Sequence, residues 1–467
     1  MTTRPLPNAF FKPQSVAVIG ASVNKVFGST IPRTLIELGY RDNLYLINPH
    51  HKEIEGMPVY AHVTDVPHAI DLAIVIVPFA SVPDVIRDCL KKGINAVIIE
   101  SAGFSEISPE GAGKENEIKE LIRGTDMRII GPNCIGIINT HDRFASTEIN
   151  FNELREGNIG VVAQSGVFGN ILTDWAPTQN LAFSKLITIG NRIDVDETDL
   201  IYYFADDEKT DVIVLYLEGV NDGDRFFKAL NEVSPRKPIL VYKSGRTAEG
   251  RKAATIHTGS ISGEDDLYEG MFRQTGAIRA YSFQELFDFA RVFSDEPLMT
   301  GPNVGIVTCS GSLGVMAADE CARLGLKFPA LHPAAVAELN DQKPAWMKIG
   351  NPLDVGPSGL FSLAVNAALK DDQINGVITF PVVPGTTVKT LEREGLNLEL
   401  LFGDAVEYRI LSRHKPLLMF TFGGAYWMHK VQQIFGGAFT IVSSPEVASR
   451  ALWALYSYHQ YRQTRNR

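Results

Sequence analysis

The sequence lacks the marks of several large function classes. Its 467 residues include four cysteines, Cys89, Cys134, Cys309 and Cys321, with no C-x-x-C pair. That pattern excludes a disulfide-stapled scaffold and points to reduced thiols in the cytoplasm. No Cys/His cluster has metal-ligand spacing, so no metal site is expected. No apolar run reaches the length that spans a bilayer, and residues 1–14 lack the apolar core of a signal peptide. Basic residues are the minority: Lys+Arg total 44 against Asp+Glu 54, for a net charge of −10. Nucleic-acid and membrane-surface binding both need a basic footprint, so neither is expected. The short basic tail of Arg462, Arg465 and Arg467 reads as a solvated end. There is also no G-x-x-x-x-G-K-[ST] loop, hence no ATP site of that kind in this chain.

Glycine is plentiful, at 40 residues, as in α/β proteins with many strand-to-helix turns. The length suggests about three domains. Continuous apolar stretches at 15–20 (SVAVIG), 44–48, 71–78 (DLAIVIVP), 96–101 and 127–131 are separated by helix-length segments. They predict a parallel sheet covered on both faces, a Rossmann-like domain over residues 1–145.

The remainder contains a repeat. Residues 158–169 (NIGVVAQSGVFG) and 303–314 (NVGIVTCSGSLG) are identical at six of twelve positions. Gly190-Asn191-Arg192-Ile193-Asp194-Val195 is echoed by Gly350-Asn351-Pro352-Leu353-Asp354-Val355, and the Lys237-Pro238 strand by the Lys415-Pro416 strand. Three echoes in one order predict two tandem flavodoxin-like α/β domains, 146–298 and 299–467, joined near residues 295–302. What both copies keep is expected to serve the fold. Only the first copy has Glu218 and His257. The second reads Pro381-Val382-Val383-Pro384 at the first place and has no His-Thr-Gly at the other.

Four constellations can carry chemistry. Gly20-Ala21-Ser22 follows the first strand and precedes Lys25, a turn whose amides attract phosphate. The full G-x-G-x-x-G is missing, and the second strand ends in Asn48-Pro49-His50 with no acid for a ribose. A CoA-type ADP moiety therefore fits better than NAD; a tight turn without a ligand is the bland alternative. Gln164-Ser165-Gly166 is a second strand-to-helix turn that could hold a phosphate, or could simply pack. His257 lies in a small, polar, basic stretch, and its imidazole could accept a phosphoryl group while Glu218 fixes the tautomer. Thr258 and Gly259 extend that phosphate-binding stretch. Gly131-Pro132-Asn133-Cys134 ends the first domain at the carboxyl edge, where ligands bind in such folds. Cys134 reads as a buried structural thiol, with an acyl-carrying nucleophile as the alternative.

At these residues the chain resembles the α subunit of NDP-forming acyl-CoA synthetases, the group of ADP-forming acetyl-CoA synthetase and the succinyl-CoA synthetase α subunit. The matching pieces are VAVIGAS at 16–22, INP at 47–49, SAGFSE at 101–106, GPNCIG at 131–136, VAQSG at 162–166, IGNRIDVDETDL at 189–200, YLEGV at 216–220, GRTAEGRKAATIHTGS at 245–260 and NPLDV at 351–355. The resemblance implies a CoA-binding domain followed by two ligase domains, a phosphohistidine at His257, a supporting Glu218 and a phosphate-holding turn at Gln164, Ser165 and Gly166. It implies CoA contacts from Gly20, Ala21, Ser22, Lys25, Asn48, Pro49, Lys52, Pro78, Gly131, Pro132 and Asn133. It also implies an ATP-grasp β subunit carrying ADP/ATP and Mg, in an α2β2 assembly. One departure is visible: many relatives have a lysine directly after Asn-Pro, where this chain has His50, His51 and then Lys52. Either Lys52 reaches in or CoA is held differently. The expected activity is interconversion of acyl-CoA, ADP and phosphate with carboxylic acid, CoA and ATP. The alternatives are a CoA-binding homologue without turnover and, more remotely, an NAD-dependent oxidoreductase.

Overall fold

The computed structural model describes residues 4–23, 26–252, 264–395, 402–403, 405–435 and 439–465. Contacts divide the chain into two units, Met1–Tyr281 and Ser282–Arg467.

The first unit holds two sheets. Strands β1 (Val16–Ile19), β2 (Leu44–Ile47), β3 (Glu53–Ile54), β4 (Met57–Tyr60), β5 (Leu72–Val75), β6 (Ala96–Ile99) and β7 (Arg128–Ile130) form a sheet ordered β3-β4-β2-β1-β5-β6-β7. Apart from the β3–β4 hairpin, all pairings are parallel. The Rossmann order 3-2-1-4-5-6 is thus present, with its switch point between β1 and β5. The apolar runs are buried on both faces. Ala17, Ile19, Val75, Val97 and Ile99 pack on one face against Ile86 and Cys89 of the helix Val82–Lys92 and Ile118 of the helix Pro109–Ile122. Val16, Val18, Ile74 and Ile98 face Ile31 and Leu35 of the helix Val26–Glu37, in a core that continues into the second sheet. Side chains of this size contribute roughly 1.5–3 kcal/mol each when buried.

The second sheet is built from β8 (Ile137–Asn139), β9 (Phe144–Ala145), β10 (Glu156–Ala163), β11 (Phe183–Thr188), β12 (Val212–Leu217), β13 (Ile239–Lys243) and β14 (Ile278–Ala280), in the order β14-β13-β12-β10-β11-β8-β9. Five of these have the flavodoxin order 2-1-3-4-5. The sequence places residues 137–145 with the first domain. Instead β8 pairs antiparallel with β11, Ile138 opposite Leu186, and so extends the second sheet. Buried Arg128, on β7, joins the two sheets through Asp194 (2.9 Å) and Asp199 (2.9 Å).

The second unit has one parallel sheet of β15 (Val304–Thr308), β16 (Leu353–Asp354), β17 (Gly376–Phe380), β18 (Leu417–Met419) and β19 (Thr440–Ile441), ordered β16-β15-β17-β18-β19, again 2-1-3-4-5. The sequence assigns residues 283–298 to the middle domain and reads 295–302 as a joint. The helix Phe283–Asp295 belongs instead to this unit: its Asp288 accepts the Ser443 amide (3.1 Å). Glu296 is buried and accepts from Arg409 (2.9 Å), the Leu417 amide (2.9 Å) and Thr440 (2.6 Å). Three bonds to three segments make it an anchor rather than a linker residue. No helix among the described residues is long and apolar enough to cross a membrane.

Candidate active site

The carboxyl ends of β1, β2 and β5 open into a cleft of about 600 Å³, lined by Gly20, Ser22, Asn48, Pro49, His50, His51 and Pro78 among others. Gly20 has φ of 105°, and a Cβ there would lie 3.0 Å from the Ile76 carbonyl carbon, so the turn requires glycine. Ala21 is fully buried. Asn48 Nδ2 donates to the Ala21 carbonyl (2.7 Å), and its Oδ1 accepts the His50 amide (2.9 Å). Asn48 therefore ties two turns together, and no acid ends β2 to hold a ribose. Lys52 is exposed and is absent from the residues that line the cleft, while His50 and His51 line it. Lys25 lies outside the described residues.

The turn after β7 forms the seam with the second sheet. Gly131 and Asn133 have positive φ, 99° and 60°. The Gly131 carbonyl accepts the Ile193 amide (3.2 Å) and the Pro132 carbonyl accepts the Asn191 amide (2.9 Å). Asn133 Nδ2 donates to Asn191 Oδ1 (3.3 Å). A Cβ on Gly190 would sit 2.0 Å from the Pro132 carbonyl, which makes glycine obligatory on the opposing turn. Cys134 is buried, its thiol donates to the Ile99 carbonyl (3.4 Å), and burial pushes it far above the ordinary thiol range. A thiol that does not ionise is a poor nucleophile, so the acyl-carrying alternative fails.

Beyond the seam, β10 runs into Gln164 and Ser165, and Ser165 is the N-cap of the helix Gly166–Thr178. Its side chain makes no capping bond, which leaves first-turn amides available to an anion. A Cβ on Gly166 would lie 3.7 Å from Cys134, beside the seam. Gln164 is expected among the phosphate ligands, yet its buried side chain is committed elsewhere. Oε1 accepts the Glu218 (2.7 Å) and Gly219 (3.1 Å) amides, while Nε2 donates to the Gly219 carbonyl (2.8 Å) and Glu197 (3.1 Å). Gln164 thus fixes the exit of β12 where Glu218 begins. Glu218 is only 4% exposed.

Other residues grip the same exit and were missed from sequence. Arg192, held at φ 58°, donates to the Gly219 carbonyl (2.8 Å) and Glu197 (3.3 Å). Tyr268 accepts the Val220 amide (3.1 Å). Lys243, 1% exposed at the end of β13, donates to the carbonyls of Glu218 (2.8 Å) and Ser244 and lies 5.0 Å from the Tyr268 ring centroid. Burial lowers its pKa to about 8; Asp265 and Glu218 oppose that shift, and Arg279 and Arg251 add to it. Lys243 pairs in register with Leu217 and ends an otherwise apolar strand, a signal that could have marked it. His257, Thr258 and Gly259 lie outside the described residues. The residues flanking that stretch, Arg251 and Glu264, form an ion pair at 3.9 Å. No group of three or more metal-ligating side chains occurs among the described residues.

These features coincide with known families. Residues 14–140 match the CoA binding domain, and residues 156–293 match the succinyl-CoA ligase like flavodoxin domain. The chain is 34% identical over 461 residues to acetate–CoA ligase [ADP-forming] I subunit alpha of Pyrococcus furiosus, covering 97% of this chain and 98% of that one. The chain belongs to the ADP-forming acetate–CoA ligase family. It is 42% identical over 346 residues to acetate–CoA ligase [ADP-forming] of Methanocaldococcus jannaschii, covering 73% of this chain. There it spans only about half, 48%, of the relative's length. Among solved structures, dinucleotide forming acetyl-coenzyme A synthetase 1 of Ca. Korarchaeum cryptofilum, in complex with phosphate and ADP, aligns with a TM-score of 0.87 at 30% identity, over 98% of this chain and 97% of that one. Family membership accounts for a CoA-binding domain followed by a succinyl-CoA ligase like flavodoxin domain.

Proposed function

We infer that this chain is the acyl-CoA-handling subunit of an ADP-forming acyl-CoA synthetase. CoA lies in the Gly20 cleft as substrate, with its thioester end at the 131–136 seam. Inorganic phosphate attacks the thioester carbonyl; the C–S bond breaks, giving an acyl phosphate and CoA. The imidazole of His257 then attacks phosphorus, and the carboxylate leaves. Glu218 hydrogen-bonds the other ring nitrogen, fixing the tautomer and balancing the charge of the phosphorylated ring. The helix N-terminus at Ser165 and Gly166 holds the phosphoryl oxygens, with Thr258 and Gly259 beside them. Catalysis in such a transfer is positioning and charge stabilisation. The phosphoryl group then passes to ADP with Mg on an ATP-grasp β subunit, in an α2β2 assembly in the cytoplasm. All steps run in both directions.

The observation that carries this reading is the placement of buried Glu218, locked by Gln164, Arg192 and Lys243, in the same unit as the uncapped Gly166 helix and the Gly20 cleft. The test is a coupled assay of this chain with an ATP-grasp partner, supplied with acyl-CoA, ADP and phosphate. ATP and free CoA are expected in equal amounts. CoA binding without ATP formation, across a panel of thioesters, would instead establish the homologue without turnover.

A further inference from the structure

Gly190, Asn191 and Arg192 form the turn after β11, with Gly190 and Arg192 at positive φ, 50° and 58°. The backbone of this turn is bonded in two directions. The Ile189 amide donates to the Ala163 carbonyl (3.0 Å), at the end of β10 beside Gln164. The Asn191 and Ile193 amides donate to the Pro132 (2.9 Å) and Gly131 (3.2 Å) carbonyls of the seam.

The side chains divide the same way. Arg192 turns to the second sheet and donates to the Gly219 carbonyl (2.8 Å), next to Glu218. Asn191 turns to the first. Its Nδ2 donates to Glu106 (2.6 Å) and Glu115 (2.7 Å), with the Ser105 hydroxyl at 3.4 Å, and its Oδ1 accepts from Asn133 (3.3 Å). Both N–H groups of the amide thus go to carboxylates, the stronger kind of hydrogen bond. The two acids are themselves held. Glu106 accepts the Gly103 (2.6 Å) and Phe104 (3.1 Å) amides; buried Glu115, on the helix Pro109–Ile122, accepts the Ser105 amide (3.2 Å) and hydroxyl (2.7 Å). Adjacent residues of one turn therefore grip the seam and the Glu218 exit. The other copy uses its asparagine differently. Asn351, at the place of Asn191, donates to the Val304 (2.8 Å) and Pro329 (3.0 Å) carbonyls and accepts the Ile306 amide (3.1 Å), all backbone groups of its own domain.

We propose that Asn191 is a positioning residue for phosphoryl transfer: it fixes the seam, where the acyl phosphate forms, relative to the Glu218 exit, where the phosphoryl group is received. The proposal rests on the synthetase reading and deepens it. Transfer from acyl phosphate uses the seam and the exit together and needs Asn191. Exchange of the same group with the nucleotide uses the exit alone and does not.

The test follows label into His257 from its two sides, in the complex of this chain with its ATP-grasp partner. Labelled phosphate with the thioester that is used best in the coupled assay, without nucleotide, delivers label through the seam. Labelled ATP, without acid or CoA, delivers it through the partner. Asn191→Ala should slow labelling through the seam about a hundredfold, the loss expected of a misplacement of roughly 1 Å. Labelling by ATP should change less than about threefold, and so should KM for the thioester, because Asn191 does not line the Gly20 cleft. Asn191→Asp fills the same space but loses both donors and sets a third carboxylate beside Glu106 and Glu115, so it should be at least as slow as Asn191→Ala. Wild-type rates in Asn191→Asp would mean that the side chain only fills space, and would overturn the proposal. Equal slowing from both sides, or slowing from neither, overturns it as well. If either variant fails to fold, the other decides by the same split. A wild-type complex that takes label from neither side removes the synthetase reading and Asn191 with it. A labelled wild type whose variants show no split removes only the assignment of Asn191.

Discussion

The two flavodoxin-like sheets share a strand order and differ at one edge. Both keep the Lys-Pro strand, and in both the lysine does the same thing. Lys237 donates to the Phe204 and Asp207 carbonyls (2.8 and 2.7 Å) at the end of the helix Glu197–Asp206; Lys415 donates to the Leu369 and Asp371 carbonyls at the end of the helix Phe361–Lys370. A cation there satisfies carbonyls that a helix end leaves open, so this echo serves the fold. The carboxyl edges have diverged. In the middle sheet, Glu218 and Gly219 are gripped by Gln164, Arg192 and Lys243. In the last sheet the exit of β17 is Pro381, and Thr421 stands at the place of Lys243, donating to the Pro381 carbonyl while accepting from Trp427 (2.8 Å). The helix turns differ as well. Gly166 faces Cys134 across ordinary contact distance, whereas a Cβ on Gly311 would lie 2.9 Å from the Asp354 carboxylate. The same fold thus stands with and without the buried acid and lysine, and a shorter hydroxyl at Thr421 bonds the exit carbonyl that Lys243 bonds in the middle sheet.

The comparison breaks first at His257. His257→Ala should abolish net turnover while CoA binding persists, measured by the ATP assay and by calorimetry. Arg128 is next. Arg128→Met removes the cation that Asp194 and Asp199 share; Asp199 keeps Arg225 and Asp194 keeps Arg4 at 3.9 Å, so the change should cost no more than about 3 kcal/mol in unfolding free energy, read from denaturant midpoints. A middle sheet that tolerates this change would show that the Arg128 bridge is dispensable to the fold.

Lys243 sharpens the contrast more finely. With its pKa lowered to about 8, it loses its charge within an accessible range. Lys243→Met should slow phosphoryl transfer about tenfold, the effect expected of losing about 1.4 kcal/mol of positioning. It should also remove a pH limb near 8 from the rate profile. The stability effect has a definite sign. Between about 8 and the ordinary 10.5 the unfolded chain binds the proton and the folded chain does not, so wild-type stability rises with pH across that window relative to the variant. The matching change in the other copy, Thr421→Val, should cost stability alone and leave both the rate and its pH limb in place.

Glu100 gives the smallest effect and the opposite sign. Its folded-state carboxyl holds its proton above the ordinary 4.5, where the unfolded chain has lost it. Stability therefore falls as pH rises from about 4.5 towards neutrality. Glu100→Gln should raise the melting temperature at pH 7 and do little at pH 4; a uniform shift at both would mean that packing, not ionisation, is responsible.

Much of this was legible in the chain. Continuous apolar strands fixed the parallel sheets, and the internal echoes located two copies with one strand order. The hairpin β8–β9 was not legible, because its place depends on Ile138 meeting Leu186, far away in sequence. Nor was the placement of the helix Phe283–Asp295, since the acidic Pro-flanked stretch that looks like a joint holds Glu296, whose three partners lie more than a hundred residues on. Within the site, residue types were readable and allegiances were not. Gln164 sits in a phosphate-type turn, but only the fold reveals that its amide is committed to Glu218 and Gly219. Lys243 follows an apolar strand, and only the fold, through β12, brings the Glu218 carbonyl to it.

The central claim is that the middle copy alone is a phosphoryl station. It is tested most directly by incubating the chain and its ATP-grasp partner with labelled ATP and mapping the acid-labile phosphate. The account predicts label on His257, lost in His257→Ala and reduced about a hundredfold in Glu218→Gln. Label on another residue, or full labelling of His257 without Glu218, would contradict it.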